Sequence, residues 1–140
     1  MEFNESTHKS VVIISGDLPL GLAMNALSVI GVSLGKTIDE LVGPDVFSSD
    51  GVCFPGVIRI PLPVLKAGQT ALDAMHVELQ GDKAFELFPF SCLAQSCKTY
   101  DEYEQKLSSE SSGLLKLSGL GIVGPKKEIN KFTGSLPLYR

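Results

Sequence analysis

No stretch of this sequence approaches the ~20 apolar residues of a membrane span without meeting glycine, proline or charge. Its opening, Met1-Glu-Phe-Asn-Glu-Ser-Thr-His-Lys9, lacks the basic-then-apolar order of a signal peptide, so the cytoplasm is the expected location. Cysteine is scarce and odd in number. Cys53, Cys92 and Cys97 read as free thiols rather than a disulfide framework. Only His8 and His76 are available to complete a metal set, and Cys92 and Cys97 are not at a zinc-knuckle spacing, so no metal site is expected. No Gly-x-Ser-x-Gly elbow occurs, and two histidines leave poor odds for a Ser/His/Asp or Cys/His arrangement. A basic excess is missing too. Twelve Lys and Arg stand against sixteen Asp and Glu, a net charge of −4, the opposite of what phosphate neutralisation needs. Nucleic acid and membrane are therefore not expected partners.

What is present suits one folded domain. The 140 residues are 44% hydrophobic and 20% charged, and a chain of this length buries roughly two-thirds of its unfolded surface without staples. A single domain over residues 1–140 is expected, with residues 1–9 as a flexible lead. Charge is uneven: residues 1–97 hold five basic and eleven acidic groups, residues 98–140 seven and five. The C-terminal excess, with Lys126, Lys127, Lys131 and Arg140, reads either as a weak basic patch or as a solvated helix face.

Ser10-Val-Val-Ile-Ile-Ser-Gly16 is a β-branched run closed by glycine, which predicts a buried strand. Asp17 before Leu18-Pro19 predicts a capped helix running to about Leu34. That helix is apolar nearly all round and so is expected to be buried. A long Gly/Pro/Asp-rich connection follows, from Gly35 to Gly56, read either as a functional loop or as containing one helical turn at Thr37 to Leu41. Further strands are expected at 57–62, 85–90 and 117–123, and helices at 69–79, 100–107 and 126–132. Pro61 and Pro89 mark sheet edges. Strands alternating with helices predict an α/β fold with a small sheet.

Two glycine patterns mimic nucleotide sites. Gly31-Val-Ser-Leu-Gly35-Lys36-Thr37 resembles a phosphate-binding loop, but the spacing requires glycine at position 30, which is Ile, and the stretch ends a helix instead of starting one. A glycine helix stop with Lys36 at the negative helix end explains it. Gly119-Leu-Gly121-Ile-Val-Gly124 matches the dinucleotide fingerprint in letters, yet no second strand or ribose-binding acid follows. It reads instead as a glycine-broken strand packed closely under a helix. No cofactor is expected. A better constellation is Gly21, Asn25 and Ser28, which fall at i, i+4 and i+7 on one face of the first helix. Asn25 either satisfies a neighbouring polar group or, with Asp17, forms one wall of a ligand cleft at the end of the first strand.

Several blocks in order resemble a small bacterial family of domains of unknown function, number two thousand in that series. They are Val12-Ile-Ile-Ser-Gly-Asp17-Leu-Pro-Leu-Gly21-Leu-Ala-Met-Asn25, Leu41-Val-Gly-Pro-Asp45, Pro61-Leu-Pro-Val-Leu-Lys66, Tyr100-Asp-Glu-Tyr103 and Asn130 to Leu138. The resemblance implies a mixed four-stranded sheet flanked by helices, similar to type 2 peptidyl-tRNA hydrolase. It adds Asp45, Lys131 and Thr133 to Asp17, Gly21, Asn25 and Ser28 as candidate ligand-binding residues. The hydrolase carries lysines where this chain has Leu20-Gly21-Leu22, and its Asp-x-Gly-x-Thr loop has no counterpart between Ala84 and Gly119. The expected function is small-ligand binding on a hydrolase-like fold without the hydrolase's catalytic groups; the alternative is hydrolysis of peptidyl- or aminoacyl-tRNA esters. A homodimer is expected, because apolar stretches such as Phe85 to Phe90 and Leu114 to Val123 need cover in a short chain.

Overall fold

A computed structural model describes residues 2–140. Six strands and five α-helices run in the order β1 (His8–Ser15), α1 (Leu20–Thr37), β2 (Val46–Phe47), β3 (Cys53–Phe54), β4 (Val64–Ala67), α2 (Gln69–Leu79), β5 (Glu86–Ser91), α3 (Cys92–Ser96), α4 (Tyr100–Ser108), β6 (Leu117–Pro125) and α5 (Lys126–Thr133). Four strands form a mixed sheet of order β4-β1-β6-β5, flanked by helices, as expected. β1 is parallel to β4 (Val12 opposite Val64, Ser15 opposite Ala67) and antiparallel to β6 (His8 opposite Pro125, Ile14 opposite Gly119). β5 pairs with β6 and is an edge strand, which suits Pro89 because an edge can spare one N–H.

Side chains alternate across β1. Val12 and Ile14 face α1, while Val11 and Ile13 face α2 and α5. The α1 layer rests on Ala23, Ala26, Ile30 and Leu34; the opposite layer on Leu72, Leu79 and Ile129. Gly119 and Gly121 of β6 lie directly beneath α1. A Cβ at Gly121 would stand 2.6 Å from Ile30 Cγ2, and one at Gly119 2.9 Å from Ile30 Cδ1. The near-fingerprint is thus a notch for a helix, as its spacing suggested.

Five expectations need correction. The second strand lies at Val64–Ala67, not at 57–62, because Pro61 and Pro63 have no N–H to give a parallel ladder. Residues 57–60 pair locally instead, Ile58 bridging to Val42. The long connection holds no helical turn; Ile38 to Leu41 is a turn with Glu40 at φ 67°, followed by the β2–β3 hairpin. Helix α1 starts after Pro19 with no side-chain cap, and Gly35 lies inside it, the C-cap being Ile38. Nor is α1 buried all round: Leu20, Met24 and Val32 are well exposed, because a four-stranded sheet covers only one stripe of an 18-residue helix. By length and composition alone α1 could cross a membrane, despite its glycines; here its buried stripe lies on the sheet. The lead is also built into the fold: His8 and Lys9 open β1, and Phe3 stacks on the His8 ring at 5.8 Å.

Gly121→Ala is expected to destabilise the chain by about 1–3 kcal/mol, since the added methyl enters space held by Ile30. Urea unfolding measures it, and an unchanged midpoint would show that α1 can lift off the notch freely.

Candidate functional site

The carboxyl ends of the parallel strands β1 and β4 lead into helices on opposite faces, α1 and α2, the end of an open α/β sheet where ligands commonly bind. Two hydrogen-bond networks fill this end of the sheet. Ser15 Oγ donates to Gln69 Oε1 (2.9 Å), and Gln69 Nε2 donates to Asp73 Oδ1 (3.0 Å) and to the Leu117 carbonyl (2.7 Å). The Leu117 N–H donates to the same Asp73 oxygen at 2.9 Å, so α2 is stitched to the start of β6. In the second network Ser118 Oγ donates to Gln95 Oε1 (2.7 Å), while Gln95 Nε2 donates to the Leu22 carbonyl (2.8 Å) and to Asn25 Oδ1 (3.2 Å). This one ties α3 to the first turns of α1. Cys92 Sγ lies 3.5 Å from Ser118 Oγ.

The structure brings Asp17, Gly21 and Asn25 to this end of the sheet and separates the other candidates from it. Asp17 does not cap its own helix; its carboxylate accepts from the Gln69 N–H of α2 at 3.4 Å. Asn25 satisfies Gln95, the first of its two sequence readings. Gly21 is exposed, with open space where a Cβ would stand. Ser28 Oγ donates to the Met24 carbonyl within its own helix. Asp45 accepts from the Gly56 N–H (3.0 Å) beside the β2–β3 hairpin. Lys131 pairs with Glu128 at 3.2 Å, and Thr133 Oγ1 donates to the Ile129 carbonyl. Both sit on α5, which leaves β6 at the His8 end, opposite to Ser15. Lys126, Lys127 and Lys131 are exposed on that helix, which matches the solvated-face reading. Among the described residues no three His, Cys, Asp or Glu side chains gather as metal ligands, and all three cysteines are free.

A second concavity opens on the other flank of α1. A cavity of about 450 Å³ lies between α1, β5, α3 and α4, with Val29, Ser33, Phe90, Lys98, Tyr100 and Tyr103 among its walls. That volume falls within the ~300–1,000 Å³ typical of small-molecule sites. Its far wall is held by helix caps. Ser91 Oγ accepts from the Ala94 N–H (3.0 Å) to start α3, and Thr99 Oγ1 accepts from the Glu102 N–H (3.1 Å) to start α4. Glu102 reaches back to the Lys98 N–H (3.1 Å) and also binds Lys106 Nζ at 2.8 Å. These donors hold its carboxyl below the ordinary range, the Lys106 hydrogen bond contributing most.

With α4 so anchored, Tyr100 and Tyr103 meet edge to face, 5.6 Å between centroids at 80°. Among the described residues neither tyrosine hydroxyl, nor Ser33 Oγ, nor Lys98 Nζ has a protein hydrogen-bond or ion-pair partner. None of the lining residues is acidic. Sequence reasoning missed this site by reading 100–107 as merely a charged helix. The signals were Thr99-x-x-Glu102, a capping-box spacing, and two tyrosines at i and i+3 on one face.

Residues 8–140 match the family model described as a protein of unknown function, DUF2000. No curated protein matches the chain significantly. Among solved structures, the protein of unknown function Atu0240 from Agrobacterium tumefaciens C58 superimposes with a TM-score of 0.84 at 18% identity. That match covers 96% of this chain and 98% of the other. It establishes a shared fold.

Burial, together with Tyr100 and Cys97 nearby, raises the pKa of Tyr103 above the ordinary tyrosine value. The folded state therefore favours the neutral phenol. That stabilisation is complete below the unfolded pKa of about 10 and is lost as pH rises through the higher folded value. The chain has no tryptophan and three tyrosines, so absorbance at the tyrosinate band reads them cleanly. One of the three is expected to ionise late, and Tyr103→Phe should remove that late step; its persistence would place the perturbed group elsewhere.

Proposed function

The chain belongs to the DUF2000 family of proteins of unknown function, and from that premise we propose that it binds a small molecule in the cavity between α1, β5, α3 and α4. The carrying observation is that four residues with unpartnered polar groups line that space: Tyr100, Tyr103, Ser33 and Lys98. Phe90 and the two tyrosines offer faces and edges to a planar ring, and the single cation without a facing acid favours a carboxylate. The ligand class is therefore a small aromatic acid. Asn25 acts at one remove, since its bond to Gln95 holds α3, whose Ala94 lines the cavity. Asp17 and Gly21 stand at the start of α1, outside the lining of this cavity.

The similarity to type 2 peptidyl-tRNA hydrolase belongs to this reading. A mixed four-stranded sheet with helices on both faces supports it. The alternative function, ester hydrolysis on peptidyl- or aminoacyl-tRNA, finds no base on the first turn of α1, where Leu20, Gly21 and Leu22 stand. A net charge of −4 likewise disfavours nucleic acid as the partner.

A thermal-shift panel of aromatic acids, aromatic amines and neutral aromatics tests the reading. At 100 times its Kd a ligand contributes about 2.7 kcal/mol to stability, a rise of several degrees. Aromatic acids should raise the melting temperature of the native chain. Tyr103→Ser should lose the response and Lys98→Gln the preference for acids, while Asn25→Leu should weaken binding by loosening α3. Silence across the panel, or an equal response from Tyr103→Ser, rules the site out. Release of free tRNA from a model peptidyl-tRNA would favour the alternative.

A further inference from the structure

The β2–β3 hairpin gathers four exposed apolar side chains on one short ribbon. Val46, Phe47, Val52 and Phe54 are between 53% and 64% exposed. Neighbouring residues on a strand point to opposite faces, so this ribbon is bare on both sides. A two-stranded hairpin is marginal by itself in water, and a contiguous apolar patch of this kind marks an interaction surface.

The same chain carries a matching hollow. A small recess of about 80 Å³ lies at the other end of α1, lined by Leu20, Met24 and Leu27 of the helix and by Val64 and Tyr139. Its walls are aliphatic apart from the tyrosine, and its size suits an aromatic ring. The hairpin emerges beyond the C-terminus of α1, where Val42 packs against Gly35. On the helical wheel Gly35 lies on the flank that holds Gly31, Met24 and Leu20. Knob and hollow thus lie toward the two ends of one flank of a helix about 27 Å long. Between them the helix surface is small or apolar: Ser28, Gly31 and Val32.

We propose that two copies of this chain associate through antiparallel α1 helices about a two-fold axis near Ser28, each hairpin seating Phe47, whose cross-strand neighbour is Cys53, in the recess beside Leu20 and Met24 of the other copy. An antiparallel two-fold pairing is the arrangement that brings opposite ends of one helix flank together twice over, so each copy both gives and receives a hairpin. Charge agrees with the seating. Residues 44–56 carry Asp45 and Asp50 and no base. The recess is flanked by Lys66, whose Nζ stands 5.4 Å from the Tyr139 ring centroid, and by Arg140. Gly31 and Gly35, which have no side chain, let the two helices approach closely.

Light scattering across micromolar concentrations, joined to a cross-link, tests the proposal. The native chain should show twice its 15.0 kDa mass. The Phe47→Asp, Phe54→Asp chain should fall to the single-chain mass with an unchanged far-ultraviolet spectrum, because both side chains lie outside the core clusters. Under mild oxidation, Leu20→Cys should form an intermolecular disulfide with the exposed native Cys53. The Leu20→Cys, Cys53→Ser chain should not. A native mass of one chain at 100 µM overturns the pairing. So does a dimer that withstands both Phe substitutions, or a cross-link that forms without Cys53.

Discussion

The close approach of α1 to β6 organises the molecule. Ile30 and Leu34 can descend onto the sheet only because Gly119 and Gly121 present no side chain beneath them, and the nearest substitute atoms would meet Ile30 within 3 Å. With the helix set that low, Ala23 and Ala26 complete a thin, dense layer over Val12 and Ile14. Larger residues in the notch would lift α1 and open the layer along its whole length.

A helix seated on one narrow stripe leaves two flanks free, and the surroundings of the two differ. On the β5 side, α3 and α4 stand off from the helix and enclose the aromatic cavity. On the β4 side Leu20 and Met24 stay exposed among the described residues, beside the apolar recess at Tyr139. The same geometry that limits burial of α1 creates both surfaces. Its exposed leucines and methionine are therefore a consequence of sheet width rather than of poor patterning.

Polar groups at the carboxyl ends of β1 and β4 hold this arrangement in register. Gln69 and Asp73 fix α2 to β6, and Gln95 fixes α3 to α1 through Asn25 and the Leu22 carbonyl. Each buried donor there meets an acceptor, which is the condition for polar side chains to lie between packed layers without cost. A network closed on itself positions neighbours; the residues that line the cavity stand outside both networks.

Local physics was legible along the chain. Apolar β-branched runs placed β1, β5 and β6 to within two residues or so, the pattern at 69–79 placed α2, and the glycines at 119 and 121 announced a helix lying close above them. The proline pair at 61 and 63 misled the reading because a run of branched residues looks the same whether or not its N–H groups can pair. The site was harder to see. Asp17, Asn25 and Gln69 are ordinary polar residues in one dimension, and their partners lie 52 to 73 positions away in the bonds from Gln69 to Asp17 and from Gln95 to the Leu22 carbonyl. Tyr100 and Tyr103 become a wall only when β5, α3 and α1 stand opposite them. What the sequence by itself determined were the longer elements other than β4, the alternation of faces and the family. Which face of α1 stayed bare, which polar groups found each other and where a cavity opened were decided by the tertiary structure, because those outcomes depend on contacts between residues that no local pattern relates.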